Sequence, residues 1–266
     1  MLVLIPVWKR PEITEICFLG LDRLRAHCDL EVLAVISEDS YKSQCIKHDI
    51  RYTFFENYPL GAKKNHGLKE ALKLDWDYLM EINSDNLIKN ELLDIYDQED
   101  SDFIGLRNFC FMNSETKEVR QICSNTVFGI ARRYSRQAIE SAGEVMTVEI
   151  SETVVADMRG LEENNSYDLP LHIANDLINS DRAVKVSEGI KLWDDLAAAG
   201  MDNYSKHILK KSGFEAKQIF NEEPLAVDIK SEVNIWKWNP EAGVPYPYED
   251  LINGLSDKEI ECLEQL

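Results

Sequence analysis

Tyr78-Leu79-Met80-Glu81-Ile82-Asn83-Ser84-Asp85-Asn86 is an apolar run that ends abruptly in a cluster of oxygen-bearing side chains. The apolar part is typical of a buried strand. A carboxylate next to an amide at its end suits a hard divalent cation such as Mg²⁺ or Mn²⁺. The alternative is an Asx turn that only ends the strand, with Ser84 and Asn86 bonding the backbone.

Similar short runs, rich in β-branched residues, come earlier in the chain, and segments of helical periodicity separate them. They are Leu2–Val7, Glu31–Ser37 and Arg51–Glu56, followed by Tyr78–Asn83. Because these runs are apolar on both faces, we predict the α/β class, with a mostly parallel sheet covered by helices on both sides. Ligands of such sheets bind at the carboxyl ends of the strands.

The regular alternation weakens after Asp102, and a mixed α+β region is expected there. The patterns predict strands over Phe103–Met112, Arg120–Ile130 and Val184–Trp193, and helices over Arg133–Ser141, Leu169–Asn179 and Met201–Ser212.

Composition and missing motifs narrow the function. The 48 acidic and 29 basic side chains give a formal charge of −19, which disfavours bulk nucleic-acid binding. No stretch approaches the roughly 20 apolar residues of a membrane span, and the first run is too short for a signal-peptide core, so we expect a cytoplasmic protein. The chain lacks the P-loop, Gly-x-Gly-x-x-Gly and Gly-x-Ser-x-Gly motifs, which argues against P-loop NTPases, typical dinucleotide-binding dehydrogenases and α/β-hydrolases.

Four segments follow one another in the order found in a known family. Leu2–Pro6 is followed by Trp8-Lys9-Arg10-Pro11, then come Ser37-Glu38-Asp39-Ser40, Leu60-Gly61-Ala62-Lys63-Lys64-Asn65-His66-Gly67 and Asn83-Ser84-Asp85. Over roughly the first 135 residues the sequence resembles the family 2-like glycosyltransferases of the GT-A fold, in which Asp-x-Asp stands where Asn83-Ser84-Asp85 falls here. Some short stand-alone transferases of this kind are encoded by bacteriophages, which would place this chain in the host cytoplasm.

The resemblance implies a donor site for a nucleoside diphosphate sugar, with a UDP-sugar favoured. Its donor-binding residues would be Pro6, Trp8, Arg10, Asp39, Lys63, Asn65 and Ser84. The divalent cation, Mn²⁺ or Mg²⁺, would be held by Asp85, Asn83 and Asp228. Asn83 departs from the motif, because an amide replaces its first carboxylate and lowers the expected metal affinity. Taken singly, Arg10 and Lys63 have the alternative of solvated surface charges, and Asp39 that of a helix cap.

An inverting transfer needs a carboxylate that takes the proton of the acceptor hydroxyl. Asp202 and Asp195 are the candidates, although Asp202 is also well placed to cap a helix. We expect residues 1–135 to bind the donor and residues 136–266 to bind the acceptor and close the site. The acceptor stays open between a glycan, a small molecule, a protein and, as a minority option, a modified DNA base. The alternatives are a nucleotidyltransferase and a non-catalytic module that binds a nucleotide sugar.

Overall fold

The structure is a computed structural model that describes residues 1–150, 166–180, 183–192, 201–232, 234 and 237–266. In chain order its strands are β1 (Leu2–Val7), β2 (Glu31–Ile36), β3 (Arg51–Phe54), β4 (Tyr78–Glu81), β5 (Asn86–Ile88), β6 (Phe103–Leu106), β7 (Asn108–Asn113), β8 (Val119–Cys123), β9 (Arg132–Ser135), β10 (Glu144–Ile150), β11 (Ser166–Pro170), β12 (Ala183–Ile190), β13 (Lys217–Ile219), β14 (Ala226–Lys230) and β15 (Val244–Pro245). Its helices are α1 (Pro11–His27), α2 (Lys42–Lys47), α3 (Leu60–Ala71), α4 (Asn90–Asp97), α5 (Arg136–Gly143), α6 (Leu171–Asn179), α7 (Met201–Lys211), α8 (Tyr248–Ile252) and α9 (Asp257–Gln265).

The central sheet has seven strands in the order β13-β6-β9-β4-β1-β2-β3. Strands β1, β2, β3 and β4 run parallel, as do β6 and β13, whereas β9 is antiparallel to both β4 and β6. The predicted α/β class with a mostly parallel central sheet flanked by helices is confirmed. The carboxyl ends of β1, β2, β3 and β4 therefore meet at one edge of the sheet.

Strand β1 shows why both faces of this sheet are apolar. All six of its residues are buried. Val3 and Ile5 pack with α1 side chains, and Leu2 and Leu4 pack with α3 side chains on the other face. Gly67 lets α3 approach closely, because a Cβ there would lie 2.7 Å from Leu4 Cδ1 and 2.5 Å from Val35 Cγ2.

A second sheet joins distant parts of the chain in the order β15-β8-β7-β14-β5. Strand β14 lies between β7, to which it is parallel, and β5, to which it is antiparallel. Its register places Asp228 opposite Asn86, next to the end of β4. A third, antiparallel sheet has the order β11-β10-β12, so the second half of the chain is mixed α+β as predicted.

The strand predicted over Phe103–Met112 is in fact two strands in different sheets. The chain changes sheets at Arg107, whose backbone N–H donates to Ile219 O at 2.8 Å and whose Nε donates to Ser124 O at 2.9 Å. The apolar pattern continues through this break, which explains why the sequence predicted one strand.

Two further boundaries differ from the predictions. The strand predicted over Arg120–Ile130 ends at Cys123, and the helix predicted over Arg133–Ser141 begins only at Arg136. The four residues before that helix form β9, in which Arg132 and Arg133 are buried. Their side chains donate to backbone oxygens, Arg132 Nε to Phe128 O and Arg133 Nη2 to Glu99 O, both at 2.6 Å. Because these hydrogen bonds satisfy the two guanidinium groups, arginines that would be expected at the surface can lie in a buried strand.

Among the described residues, no helix is both long enough and apolar enough to cross a lipid bilayer.

Candidate functional site

The turn that follows β4 is closed by hydrogen bonds between Asn83 and Asn86. The Asn86 backbone N–H donates to Asn83 O at 3.0 Å, and the Asn83 backbone N–H donates to Asn86 Oδ1 at 2.8 Å. The turn buries Ser84 and Asp85 and leaves Asn83 half-buried. The predicted turn therefore exists, and it brings the Asp85 carboxylate to the edge of the central sheet.

Asp85 collects donors from three parts of the chain. Its Oδ2 accepts from Arg10 Nη1 at 2.6 Å and from Asn234 Nδ2 at 2.8 Å. Within the described part of the chain, its Oδ1 has a single long contact of 3.4 Å, with Asn86 Nδ2. The Arg10 guanidinium balances the buried charge of Asp85, as a buried carboxylate requires.

Arg10 reaches Asp85 because the chain bends sharply between β1 and α1. Lys9 and Arg10 are both left-handed, with φ values of 52° and 59°, and Pro11 then begins the helix. For residues other than glycine this conformation costs about 1–2 kcal/mol each. The Lys9 Nζ lies 4.4 Å from the centre of the half-buried Trp8 ring.

Asp228 lies in the same cluster. Its Oδ2 accepts from Lys230 Nζ at 2.8 Å, and its buried Oδ1 has no hydrogen-bond partner among the described residues. Burial, and next the negative charge of Asp85, raise the pKa of Asp228 to about 7. Lys230 Nζ also lies 4.3 Å from the centre of the Phe111 ring.

These oxygens fit a small divalent cation, although the described residues hold no cluster of three His, Cys, Asp or Glu side chains that could bind a metal. Mg²⁺ is commonly held by one or two carboxylates together with the phosphates of a substrate. Asp85 and Asp228 provide two carboxylates, and the unpartnered Oδ1 of Asp228 is available as a ligand atom.

A cavity of about 460 Å³ opens between the loops that follow β1 and β2. Its lining residues are Lys9, Arg10, Pro11, Glu38, Ser40, Tyr41, Ser43 and Gln44. The buried Gln44 Oε1 has no hydrogen-bond partner among the described residues, and the buried Tyr41 hydroxyl lies next to the Thr14 side chain. Burial raises the pKa of Tyr41 to about 12, so its phenol is neutral at ordinary pH.

The resemblance makes Asp39 a donor-binding residue, and the structure places its side chain in solvent. Asp39 is 76% exposed and pairs with Lys42 at 2.9 Å. Its neighbour Glu38 lines the cavity instead. Pro6 is buried within β1, where it pairs with Val35 of β2.

Lys63 and Asn65 face inward from the first turns of α3. The Lys63 ammonium is fully buried and donates to Val7 O and Ser37 Oγ at 2.7 Å and to Asn57 Oδ1 at 3.2 Å. It therefore joins the ends of the first three strands, and burial lowers its pKa to about 7. Asn65 Oδ1 accepts from the Leu192 backbone N–H at 2.9 Å.

The structure describes the position of only one of the two candidate bases. Asp202 lies in the first turn of α7. Asp195 lies outside the described residues.

Sequence reasoning missed Asn234, Lys230 and Glu38 as members of the site. Lys230 and Asn234 follow Asp228 closely in the sequence, and Glu38 is next to Asp39. The first two join the site through contacts between residues far apart in the chain. Asn234 bonds Asp85, and Lys230 bonds Asp228, which lies opposite Asn86 in the β14–β5 pairing.

No protein-family model and no curated protein sequence matches the chain. Among solved structures, it is similar to S. aureus TarS 1-349, with 12% identity and a TM-score of 0.44 over 86% of this chain and 60% of that one. It is similar to the mannosyltransferase PcManGT from Pyrobaculum calidifontis, solved with GDP-Man and Mn²⁺, with 12% identity and a TM-score of 0.45 over 86% of this chain and 56% of that one. HddC from Yersinia pseudotuberculosis has 16% identity and a TM-score of 0.35 over 52% of this chain and 78% of its own. The chain thus spans less than two thirds of the first two, and likenesses at this level carry no statement about substrate or reaction.

Proposed function

We propose that this chain is a glycosyltransferase that binds a nucleoside diphosphate sugar across the carboxyl ends of its parallel strands. The observation that carries the proposal is the meeting of a buried carboxylate, Asp85, and a half-buried one, Asp228, with two cationic side chains beside a cavity. Asp85 is bonded to Arg10, and Asp228 to Lys230. Arg10 also lines the cavity between the loops after β1 and β2.

The chemistry of this cluster suits a diphosphate leaving group. A departing diphosphate develops negative charge, which cations placed beside it stabilise. Mn²⁺ or Mg²⁺, held by Asp85 and Asp228, would neutralise part of that charge. The Arg10 guanidinium has the planar donor geometry that binds phosphate oxygens well.

The cavity supplies a place for the nucleoside. Among the residues that line it, Glu38, Ser40 and Ser43 are not buried and can hydrogen-bond to a base or ribose. Glu38, rather than Asp39, would contact the donor here. The resemblance to family 2-like glycosyltransferases favours a UDP-sugar as the donor. Lys63 and Asn65 then support the donor site from within rather than touching the donor.

The acceptor side of the proposal rests on the second half of the chain. Asp202 or Asp195 would take the proton of the acceptor hydroxyl as it attacks the anomeric carbon from the face opposite the diphosphate. The helix that carries Asp202 is tied to the central sheet, because Arg132 Nη1 of β9 donates to Ser205 Oγ of α7 at 2.9 Å. This contact joins the acceptor region to the donor sheet.

A second function is favoured by one residue. Asn83, in place of a carboxylate, leaves fewer charged ligands for a cation, so a module that binds the nucleotide sugar without turnover remains the alternative. Nucleotide binding without transfer or hydrolysis of the sugar distinguishes it from an enzyme.

Thermal unfolding and calorimetry with UDP-, GDP-, CMP- and TDP-sugars, with and without Mn²⁺, test the donor site. We expect one nucleotide class to raise the melting temperature of the wild type in a metal-dependent manner, and Asp85→Asn to abolish the effect. Asp94→Asn is the matched control, since Asp94 is half-exposed and pairs with His27 at the far end of α1. If no nucleotide binds the wild type under any metal condition, the proposal is wrong.

A further inference from the structure

Arg10 lines the cavity and also forms an ion pair with the carboxylate of Asp85. Its Nη1 lies 2.6 Å from Asp85 Oδ2, and the same residue lines the space between the loops after β1 and β2. A cation in this position can serve either Asp85 or a phosphate that enters the cavity. Its long, flexible side chain can reach either of these two partners.

The formal charges of the cluster balance before any ligand binds. Each carboxylate has one cationic partner, Asp85 with Arg10 and Asp228 with Lys230. A divalent cation bound alone would bring two unbalanced positive charges next to Arg10 and Lys230, which like-charge repulsion opposes. A diphosphate bound together with that cation restores the balance.

We propose that Arg10 acts as an internal counter-ion that keeps Asp85 from binding a divalent cation until a nucleoside diphosphate arrives and draws the guanidinium onto its phosphates. The inference rests on the proposed function and adds to it the order in which the nucleotide and the metal bind. Metal and nucleotide then bind with positive coupling, and Arg10 sets the size of that coupling. By linkage, each ligand raises the affinity for the other by the same factor.

The matched control is the residue next to Arg10. Lys9 has the same charge, a similar left-handed backbone and a place in the same cavity wall. Its ammonium lies over the Trp8 ring and has no ion pair with a carboxylate among the described contacts. Lys9→Gln therefore changes the net charge as Arg10→Gln does, and leaves the Arg10–Asp85 pair in place.

The test measures Mn²⁺ binding to the full chain by calorimetry and by the EPR signal of the free ion, with and without saturating UDP or GDP, whichever stabilises the wild type. For the wild type we expect the nucleotide to tighten Mn²⁺ binding by about tenfold or more, within the usual range of coupling. In Arg10→Gln the nucleotide-free affinity for Mn²⁺ should rise by about tenfold, and the coupling should shrink accordingly. Arg10→Lys keeps a cation beside Asp85, so its nucleotide-free affinity for Mn²⁺ should stay near that of the wild type, although it loses the planar donors that suit a diphosphate. Lys9→Gln should leave the nucleotide-free affinity for Mn²⁺ unchanged.

The inference is overturned if Arg10→Gln leaves the nucleotide-free affinity for Mn²⁺ unchanged or lower, or if Lys9→Gln raises it equally. Should Arg10→Gln fail to fold, a wild type whose Mn²⁺ affinity does not respond to nucleotide, or an Arg10→Lys chain that binds Mn²⁺ more tightly than the wild type, would also overturn it. A wild type that binds no nucleotide at all contradicts the proposed function instead, so the two failures are distinguishable.

Discussion

At the scale of single residues, Lys63 links the ends of three strands from inside the protein. Its ammonium has three N–H donors and three neutral oxygen partners, from Val7, Ser37 and Asn57. Removal from water lowers its pKa from 10.5 to about 7, and only the charge of Glu38 opposes that shift. The folded protein therefore holds this proton less tightly than the unfolded chain does.

This difference predicts how stability depends on pH. Between pH 7 and about 10.5 the unfolded chain binds more protons at Lys63, so the free energy of unfolding rises with pH. Each pH unit is worth up to about 1.4 kcal/mol for one proton. Lys63→Met lacks the titrating group and should lose this slope. Between pH 7 and pH 9 the free energy of unfolding in urea should therefore rise by about 2–3 kcal/mol more in the wild type than in Lys63→Met. The exposed Lys73→Met is the control, and equal slopes in wild type and Lys63→Met would contradict the prediction.

The positions of Asp85 and Arg10 just after strands β4 and β1 were predictable from the sequence, because each follows a clear apolar run. Their direct contact was not predictable, since it depends on two left-handed residues that no pattern indicates. Glu38 and Asp39 are adjacent and chemically alike, and only the short helical turn over Asp39–Tyr41 decides which one lines the cavity.

At the scale of elements, a largely buried ion pair between Arg23 and Glu259 joins α1 and α9. Arg23 Nε donates to Glu259 Oε2 at 2.8 Å, and Arg23 Nη2 donates to Oε1 at 3.1 Å. Glu259 is fully buried and also accepts from the Ser256 backbone in a capping box. The pair holds the C-terminal helix against the helix that begins beside Arg10.

We expect Glu259→Gln to lower the free energy of unfolding by about 3 kcal/mol, because it leaves the Arg23 charge without its buried partner. Chemical denaturation measures the change. Glu261→Gln, an exposed position on the same helix, should differ from the wild type by less than about 0.5 kcal/mol. Equal losses in the two variants would show that the pair contributes nothing of its own.

Strands β1, β2 and β4 agree with the sequence because each is a short apolar run that is largely buried. Strand β3 was also predicted, but it lies at the edge of the sheet and its residues are mostly exposed. Strand β9 was missed, since its two arginines become buried only when carbonyls from other segments accept their hydrogen bonds. Strand β14 was missed as a neighbour of β5 because their pairing joins residues about 140 positions apart, as in Asp228 opposite Asn86.

At the scale of the whole molecule, the two halves of the chain share their sheets. Strand β13 pairs with β6, and β14 lies between β5 and β7, so the second half completes both sheets of the first. The division into a donor-binding part at residues 1–135 and an acceptor-binding part at residues 136–266 stays a prediction. The cluster itself already draws on both parts, through Asp85 and Asp228.

The net charge of −19 also acts at this scale. It repels polyanions in general, so the phosphorylated donor that we propose would depend on the local cations Arg10 and Lys230. A small or carbohydrate acceptor suits such a surface better than DNA does.

The central claim is that a nucleoside diphosphate and a divalent cation bind at Asp85 and Asp228, and a crystal grown with both ligands tests it most directly. With Mn²⁺ and the nucleotide chosen by the binding panel, we expect an anomalous difference peak in contact with both carboxylates. The diphosphate should lie beside Arg10 and the nucleoside in the cavity lined by Glu38 and Tyr41. A nucleotide bound elsewhere, for example in the cavity of about 710 Å³ lined by Arg25 and Arg51 at the opposite strand ends, or a Mn²⁺ peak away from Asp85 and Asp228, would contradict the account.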